Sequence, residues 1–220
     1  MWDNPLTTMR RTLLVLTLLA DSAAARDTSG PLHREIDLLA KIDLKRDVVI
    51  GKWTIQKGVL AAALGPAQPW RVEIPYAPGD EYDLKVVVER KEGNPPFVVG
   101  LPVGARQVTV DFDGWDRNDK CGISVIDGKS GEGNETCRLG KLLTNDQPST
   151  IVCAVRLGGI RVILDGVKVI DWKGERARLS LWPGWRMPHP NTPFIATWGG
   201  RFEVTRIVLT PLGAAGKDVR

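Results

Sequence analysis

Apolar and polar residues alternate with period two along most of the chain, and the clearest case is residues 149–172. Side chains in a strand point alternately to the two faces of a sheet. The pairs Gly158-Gly159 and Asp165-Gly166 are strong signals for two-residue hairpin turns. Turns centred on them set Leu157 opposite Ile160, Val155 opposite Val162 and Cys153 opposite Leu164, then Leu164 opposite Val167 and Val162 opposite Val169. Every residue in those pairs, with Ile151, then falls on one apolar face, so the pattern predicts an antiparallel meander over a core. Further strands are predicted over residues 48–56, 59–64, 70–76, 82–90, 97–102, 107–113, 121–127, 178–181, 193–197 and 201–210. Short strands separated by turn residues indicate an all-β sandwich or barrel. Apolar positions Ile36, Leu39, Ala40 and Leu44 suit a short helix or turn. Residues 26–42 read as a linker with that element, residues 43–212 as one domain, and residues 213–220 as a disordered tail.

Some outer faces are mixed. Val152, Ala154, Ile163 and Ile170 stand among Arg156, Arg161 and Lys168 on the far side of the meander. This suits a face that is partly covered or forms a groove, or an ordinary surface with alkyl stems packed over it.

The length, 220 residues, is enough for one large all-β domain with a full core, and 23 glycines and 15 prolines supply its turns. Net charge is +4, with Lys and Arg interspersed among Asp and Glu. No basic run is dense enough to argue for nucleic acid as a partner. Arg10-Arg11, the apolar run 13–20 and Ala23-Ala24-Ala25 have the pattern of a secretory signal peptide over residues 1–25. That run is too short to span a membrane. The pattern predicts a secreted or periplasmic protein with no transmembrane segment in the mature chain.

Export changes the reading of the three cysteines. Cys153 belongs to the core face of the meander and is expected to be buried. Cys121 and Cys137 flank a polar, glycine-rich stretch and are candidates for a disulfide, the alternative being two free thiols. There is no CxxC, and the histidines His33 and His189 are isolated, which argues against a zinc site.

The run Gly158-Gly159-Ile160-Arg161-Val162-Ile163-Leu164-Asp165-Gly166-Val167-Lys168-Val169-Ile170-Asp171-Trp172 resembles the central strands of concanavalin A-like jelly rolls. These include laminin-G-like and 3-keto-disaccharide hydrolase-like domains, and uncharacterised secreted bacterial modules share the opening. Phe194-Ile195-Ala196-Thr197-Trp198-Gly199-Gly200-Arg201-Phe202-Glu203-Val204 is similar to their closing strands, and Gly51-Lys52-Trp53-Thr54-Ile55 to their opening one. The resemblance implies a two-sheet antiparallel jelly-roll sandwich over roughly residues 43–212. It is specific for fold and weak for activity, because such domains variously bind sugars, hydrolyse them or mediate contacts.

Candidate chemistry is sparse. Glu35-Ile36-Asp37 resembles the start of the Glu-x-Asp-x-x-Glu strand motif of jelly-roll glucanases, but the second glutamate is missing. Retaining hydrolysis needs two carboxyl groups about 5 Å apart, and no nucleophile with a base at suitable spacing emerges. Asp111, Asp113, Asp116 and Asp119 form the densest acidic cluster. Their oxygens could ligate calcium, or they could serve as turn residues of a polar hairpin. Among eight tryptophans, Trp53 and Trp172 read as core. Trp115, Trp182 and Trp185 sit in loops, where indoles can stack on sugar rings or cap the sandwich. Asp113, Asp116 and Arg186 are the nearby polar candidates. Three functions stay open: a non-catalytic carbohydrate-binding module, a glycan-processing enzyme of the 3-keto-disaccharide hydrolase type, and a structural or protein-contact module.

Overall fold

The computed structural model describes residues 34–219. The signal-peptide expectation for residues 1–25 and the 26–33 part of the expected linker, His33 included, lie outside the described residues. Two antiparallel sheets face each other. One runs, edge to edge, Val167–Lys173, Gly159–Leu164, Pro148–Arg156, Tyr82–Glu92, Arg201–Pro211, Val59–Ala62 and Trp53–Gln56, with Ile36–Asp37 paired to Arg201–Pro211. The other runs Arg138–Leu139, Lys120–Ile123, Arg106–Gly114, Phe97–Val103, Phe194–Trp198, Pro69–Glu73 and Val48–Ile50. The inner faces meet in one core. Tyr82, Leu84 and Val86 of the first sheet and Phe97, Val99 and Phe112 of the second are all within 1% of complete burial. Trp53 and Trp172 belong to that core, as does Cys153.

The meander forms with a shifted first turn. Arg156 pairs with Gly159, Val155 with Ile160 and Cys153 with Val162, so the turn residues are Leu157 and Gly158. Gly159 is needed in the strand instead, because a Cβ there would lie 2.1 Å from the Trp172 carbonyl oxygen. The slip is by an even step, so the face assignment survives everywhere but in the turn, where Leu157 is exposed. The second turn falls on Asp165-Gly166 as expected, both at positive φ (48° and 81°), and pairs Leu164 with Val167. A bulge follows. Val162 faces Ile170 rather than Val169, so Ile170 and Trp172 turn into the core while Val167 is exposed.

Both expected ends of the domain move outward. Leu38, Leu39 and Ile42 are buried in the core, so the domain begins within the expected linker. The expected tail is ordered: Lys217–Asp218 pairs with Tyr76–Ala77, and Lys41 Nζ donates to Asp218 at 2.7 Å. Among the described residues no helix is long and apolar enough to cross a membrane.

The central strands of the second sheet are buried on both faces. All of Phe97–Val103 is buried, although alternate residues point away from the main core. The covering layer is the loop between Leu179–Ser180 and Phe194–Trp198. Its Trp185 and Met187 pack with Val98, Phe194 and Ala196 in a second, smaller apolar cluster. Gly100 makes room for it, since a Cβ there would lie 2.0 Å from the Phe194 ring.

Candidate functional site

Polar side chains on the outer face of the second sheet hold this loop down. Glu73, buried in Pro69–Glu73, accepts from the His189 backbone N–H at 3.1 Å, from His189 Nδ1 at 2.9 Å and from Thr192 Oγ1 at 2.8 Å. Gln107 Nε2 donates to the Thr192 carbonyl at 2.7 Å, and Arg71 Nε to that of Arg186 at 3.1 Å. The anchored loop packs two indoles, Trp182 and Trp185, against a third, Trp198, at the end of the strand that follows it. Trp182, Trp185 and Trp198 have ring centroids 5.9–6.0 Å apart, and two of the three contacts are edge-to-face. Trp182 folds over Gly184, where a Cβ would lie 1.7 Å from the ring. Trp185 is buried and Trp182 is 41% exposed, so Trp185 supports and Trp182 presents a surface.

A fourth indole faces them from the hairpin joining Arg106–Gly114 to Lys120–Ile123. Trp115 has φ 65°, a left-handed conformation that costs a bulky residue about 1–3 kcal/mol. Its ring lies on Gly131, where a Cβ would come within 2.0 Å of it. Asp113 also sits at positive φ, 52°, which breaks the strand alternation and turns its carboxylate aside. There it accepts from the backbone N–H groups of Leu142 (2.7 Å) and Leu143 (3.0 Å) and pairs with Arg90 at 2.9 Å, both side chains almost fully buried. Arg90 donates in addition to Asn145 and to the Leu143 carbonyl. This knot fixes the base of the hairpin that carries Trp115.

Between the indoles lies a cleft of about 340 Å³. Trp115 and the Trp182–Trp185–Trp198 group form its aromatic walls, and Asn118, Ser124, Ser130 and Glu132 supply hydroxyl, amide and carboxylate groups. Asp111 also lines it, projecting from the outer face of Arg106–Gly114. It is 8% exposed, and its Oδ1 has no hydrogen-bond partner. Burial pushes its carboxyl up to about 7, and the neighbouring Thr109 hydroxyl pulls it down by less. Volume, aromatic walls and a few convergent polar groups are what a small-ligand site requires.

No protein-family profile and no curated protein matches the chain. Solved structures do. Carbohydrate-binding module CBM66 from Bacillus subtilis is 9% identical, with 74% of this chain and 93% of that one covered, at a TM-score of 0.52. The exoplasmic/lumenal domain of VIP36, in a Ca2+/Man3GlcNAc-bound form, is 9% identical over 83% and 90%, at 0.53. Crh5 transglycosylase in complex with NAG is 12% identical over 83% and 86%, at 0.55. The fold is a two-sheet antiparallel jelly roll. At these identities the likeness establishes that fold and nothing more.

The jelly roll distributes the sequence-predicted residues unevenly. It brings Trp115, Trp182 and Trp185 into one cleft. Arg186 lies outside that cleft, its carbonyl held by Arg71. Asp113 is spent on Arg90 and the 142–143 backbone, and Asp116 is exposed beside Lys120. The expected calcium cluster is therefore not assembled. Asp111, Asp113, Asp116 and Asp119 diverge, and among the described residues no group of three or more His, Cys, Asp or Glu side chains is placed to hold a metal. Of the two readings of Cys121 and Cys137, the structure has the free thiols and not the disulfide, and Cys153 is free as well. Cys121 points into the core and pairs across the strands with Arg138, so the chain passes Cys137 beside it rather than opposite it. Glu35 is a surface residue paired with Arg206 and Lys85, and Ala40 stands where the motif considered would place its second glutamate.

Sequence reasoning missed Trp198 and the role of Asp111 as a lone carboxyl. Trp198 follows Phe194 and Ala196 at period two, and that alternation placed all three on the covered outer face. Asp111 stood in the sequence only as one aspartate among four.

Proposed function

We propose that this protein is a carbohydrate-binding, non-catalytic jelly-roll module of an exported protein, and that the tryptophan cleft is its binding site. The observation that carries the reading is the convergence of Trp115, Trp182, Trp185 and Trp198 on a cleft that also holds Asp111, Asn118 and Ser124. Sugar rings present flat C–H faces that pack on indoles, and their hydroxyls need fixed acceptors and donors. Trp182 and Trp115 are the stacking surfaces, and Trp185 and Trp198 hold Trp182 in place. The printed descriptions of the similar structures, a carbohydrate-binding module and two glycan-bound proteins, support the class of ligand. The carboxyl groups support binding over retaining hydrolysis. Asp113 is committed to Arg90 and Glu132 to Lys120, so Asp111 has no free carboxyl beside it to complete a retaining pair. A glycan-array screen of the wild type beside Trp182→Ala tests the reading. Saturable binding lost in the variant supports it; binding that survives unchanged removes the cleft from it.

A further inference from the structure

The charge of the cleft is one-sided. Among the described residues lining it there is no lysine or arginine, while two carboxyl groups are present. Glu132 is already paired with Lys120 at 3.0 Å, and Lys120 also reaches Asp116. Behind the sheet, Asp113 is neutralised by Arg90. The buried Cys121 thiol stays protonated, held above its ordinary range by burial and by Asp111. Asp111 is thus the one cleft carboxyl with no cationic neighbour: its Oδ1 makes no hydrogen bond, and the nearby Thr109 hydroxyl, itself unpaired, brings no positive charge. A buried polar atom without a partner is costly and calls for a donor from outside. The groups around it are indoles, whose ring faces attract cations, most strongly when the cation is desolvated.

Resting on the carbohydrate reading, we infer that the cleft selects a cationic sugar, one carrying a free amine, with the ammonium set between Asp111 and the indole walls and the sugar ring stacked on Trp182. An anionic sugar would bring its charge against Asp111 and Glu132 with no basic group to receive it. A neutral sugar would leave the Asp111 carboxylate without its strongest partner.

The test is calorimetric titration of the full chain with tetramethylammonium and with four oligosaccharides of equal length: glucosamine, N-acetylglucosamine, glucose and N,N,N-trimethylglucosamine oligomers. The glucosamine oligomer is expected to bind about tenfold or more tighter than its acetylated or neutral counterparts. Asp111→Asn, an isosteric change, is expected to erase that preference while weak stacking affinity remains. The trimethylated oligomer carries a charge that does not titrate, so its pH profile reads Asp111 alone. A bound cation holds the carboxylate ionised, and with a free group near 7 the wild-type affinity should rise about tenfold from pH 6 to pH 8. Equal affinity for amine, acetylated and neutral oligomers, or a flat pH profile, overturns the inference and leaves the carbohydrate reading standing. Binding of tetramethylammonium with no affinity for any oligomer overturns the carbohydrate reading and keeps the cation site. Silence with every probe overturns the inference, and the array screen then decides the carbohydrate reading.

Discussion

Replacing Asp113 by asparagine removes a charge from a place where nothing else can answer it. Asp113 is fully buried and Arg90 nearly so. In the variant the guanidinium keeps its contacts to Asn145 and Leu143 but loses its counter-ion. The two backbone donors of Leu142 and Leu143, which converge on one carboxylate, must share a single amide oxygen. Breaking one side of a buried ion pair typically costs about 3–5 kcal/mol. That is a large part of the roughly 5–15 kcal/mol that holds a domain folded. With a urea dependence of about 2–3 kcal/mol/M, the unfolding midpoint should fall by about 1–2.5 M. Urea denaturation at pH 7, followed by tryptophan emission and by circular dichroism, reads this directly. The double variant Arg90→Met, Asp113→Asn should lose less than the sum of the single changes, by about 1–3 kcal/mol, because it no longer strands a charge. A midpoint shift under about 0.3 M for Asp113→Asn, with the urea dependence unchanged, would refute the argument that this pair ties the hairpin down.

Trp182→Ala should change stability by less than about 1 kcal/mol, since the ring is 41% exposed, while abolishing glycan binding; thermal melts beside array binding separate the two. Gly131→Ala should displace Trp115, whose ring would lie 2.0 Å from the new methyl, and weaken ligand binding at least tenfold in the same titrations, with the fold retained by circular dichroism. Asp111→Asn should stabilise the protein at pH 8. The folded carboxyl holds its proton up to about 7 against an ordinary 3.8, so the folded wild type binds more protons than the unfolded chain in that window and loses stability as pH rises through it. The variant's advantage, about 4 kcal/mol at most, should fade as pH falls from 7 toward 4 in paired denaturation curves. In the native protein Cys137 should react with a thiol reagent at pH 8 while Cys121 and Cys153 do not, burial having pushed the Cys153 thiol up to about 12; three equivalents released without denaturant would contradict the burial of both.

The alternation of apolar residues made the all-β class and the inward face of the meander legible because period two leaves one choice of face once one side is buried, while the choice of a two-sheet jelly roll over a barrel came from the resemblance. Gly158-Gly159 misplaced the first turn for a reason alternation does not carry. Gly159 serves a close approach to Trp172, a contact with a strand still to come in the chain. The bulge at Val162 and Ile163 was equally hidden, since Val169 and Ile170 are both apolar and either could face inward. In the candidate site, the loop tryptophans were visible as residues but not as a group. What gathers them is the pinning of the covering loop by Arg71 and Glu73 of one strand and Gln107 of another, three unremarkable polar residues. The acidic cluster misled in the opposite direction. Four aspartates close in sequence suggested shared ligation, and the positive φ of Asp113 and Trp115 sent them different ways.

The most direct test of the central claim is an indole N–H chemical-shift titration of the protein with the glycan selected on the array. The account predicts shifts confined to Trp115, Trp182, Trp185 and Trp198, with the core rings of Trp53, Trp70 and Trp172 unmoved. Binding that leaves the four cleft indoles unshifted, or that moves Trp53 or Trp172 instead, would contradict it.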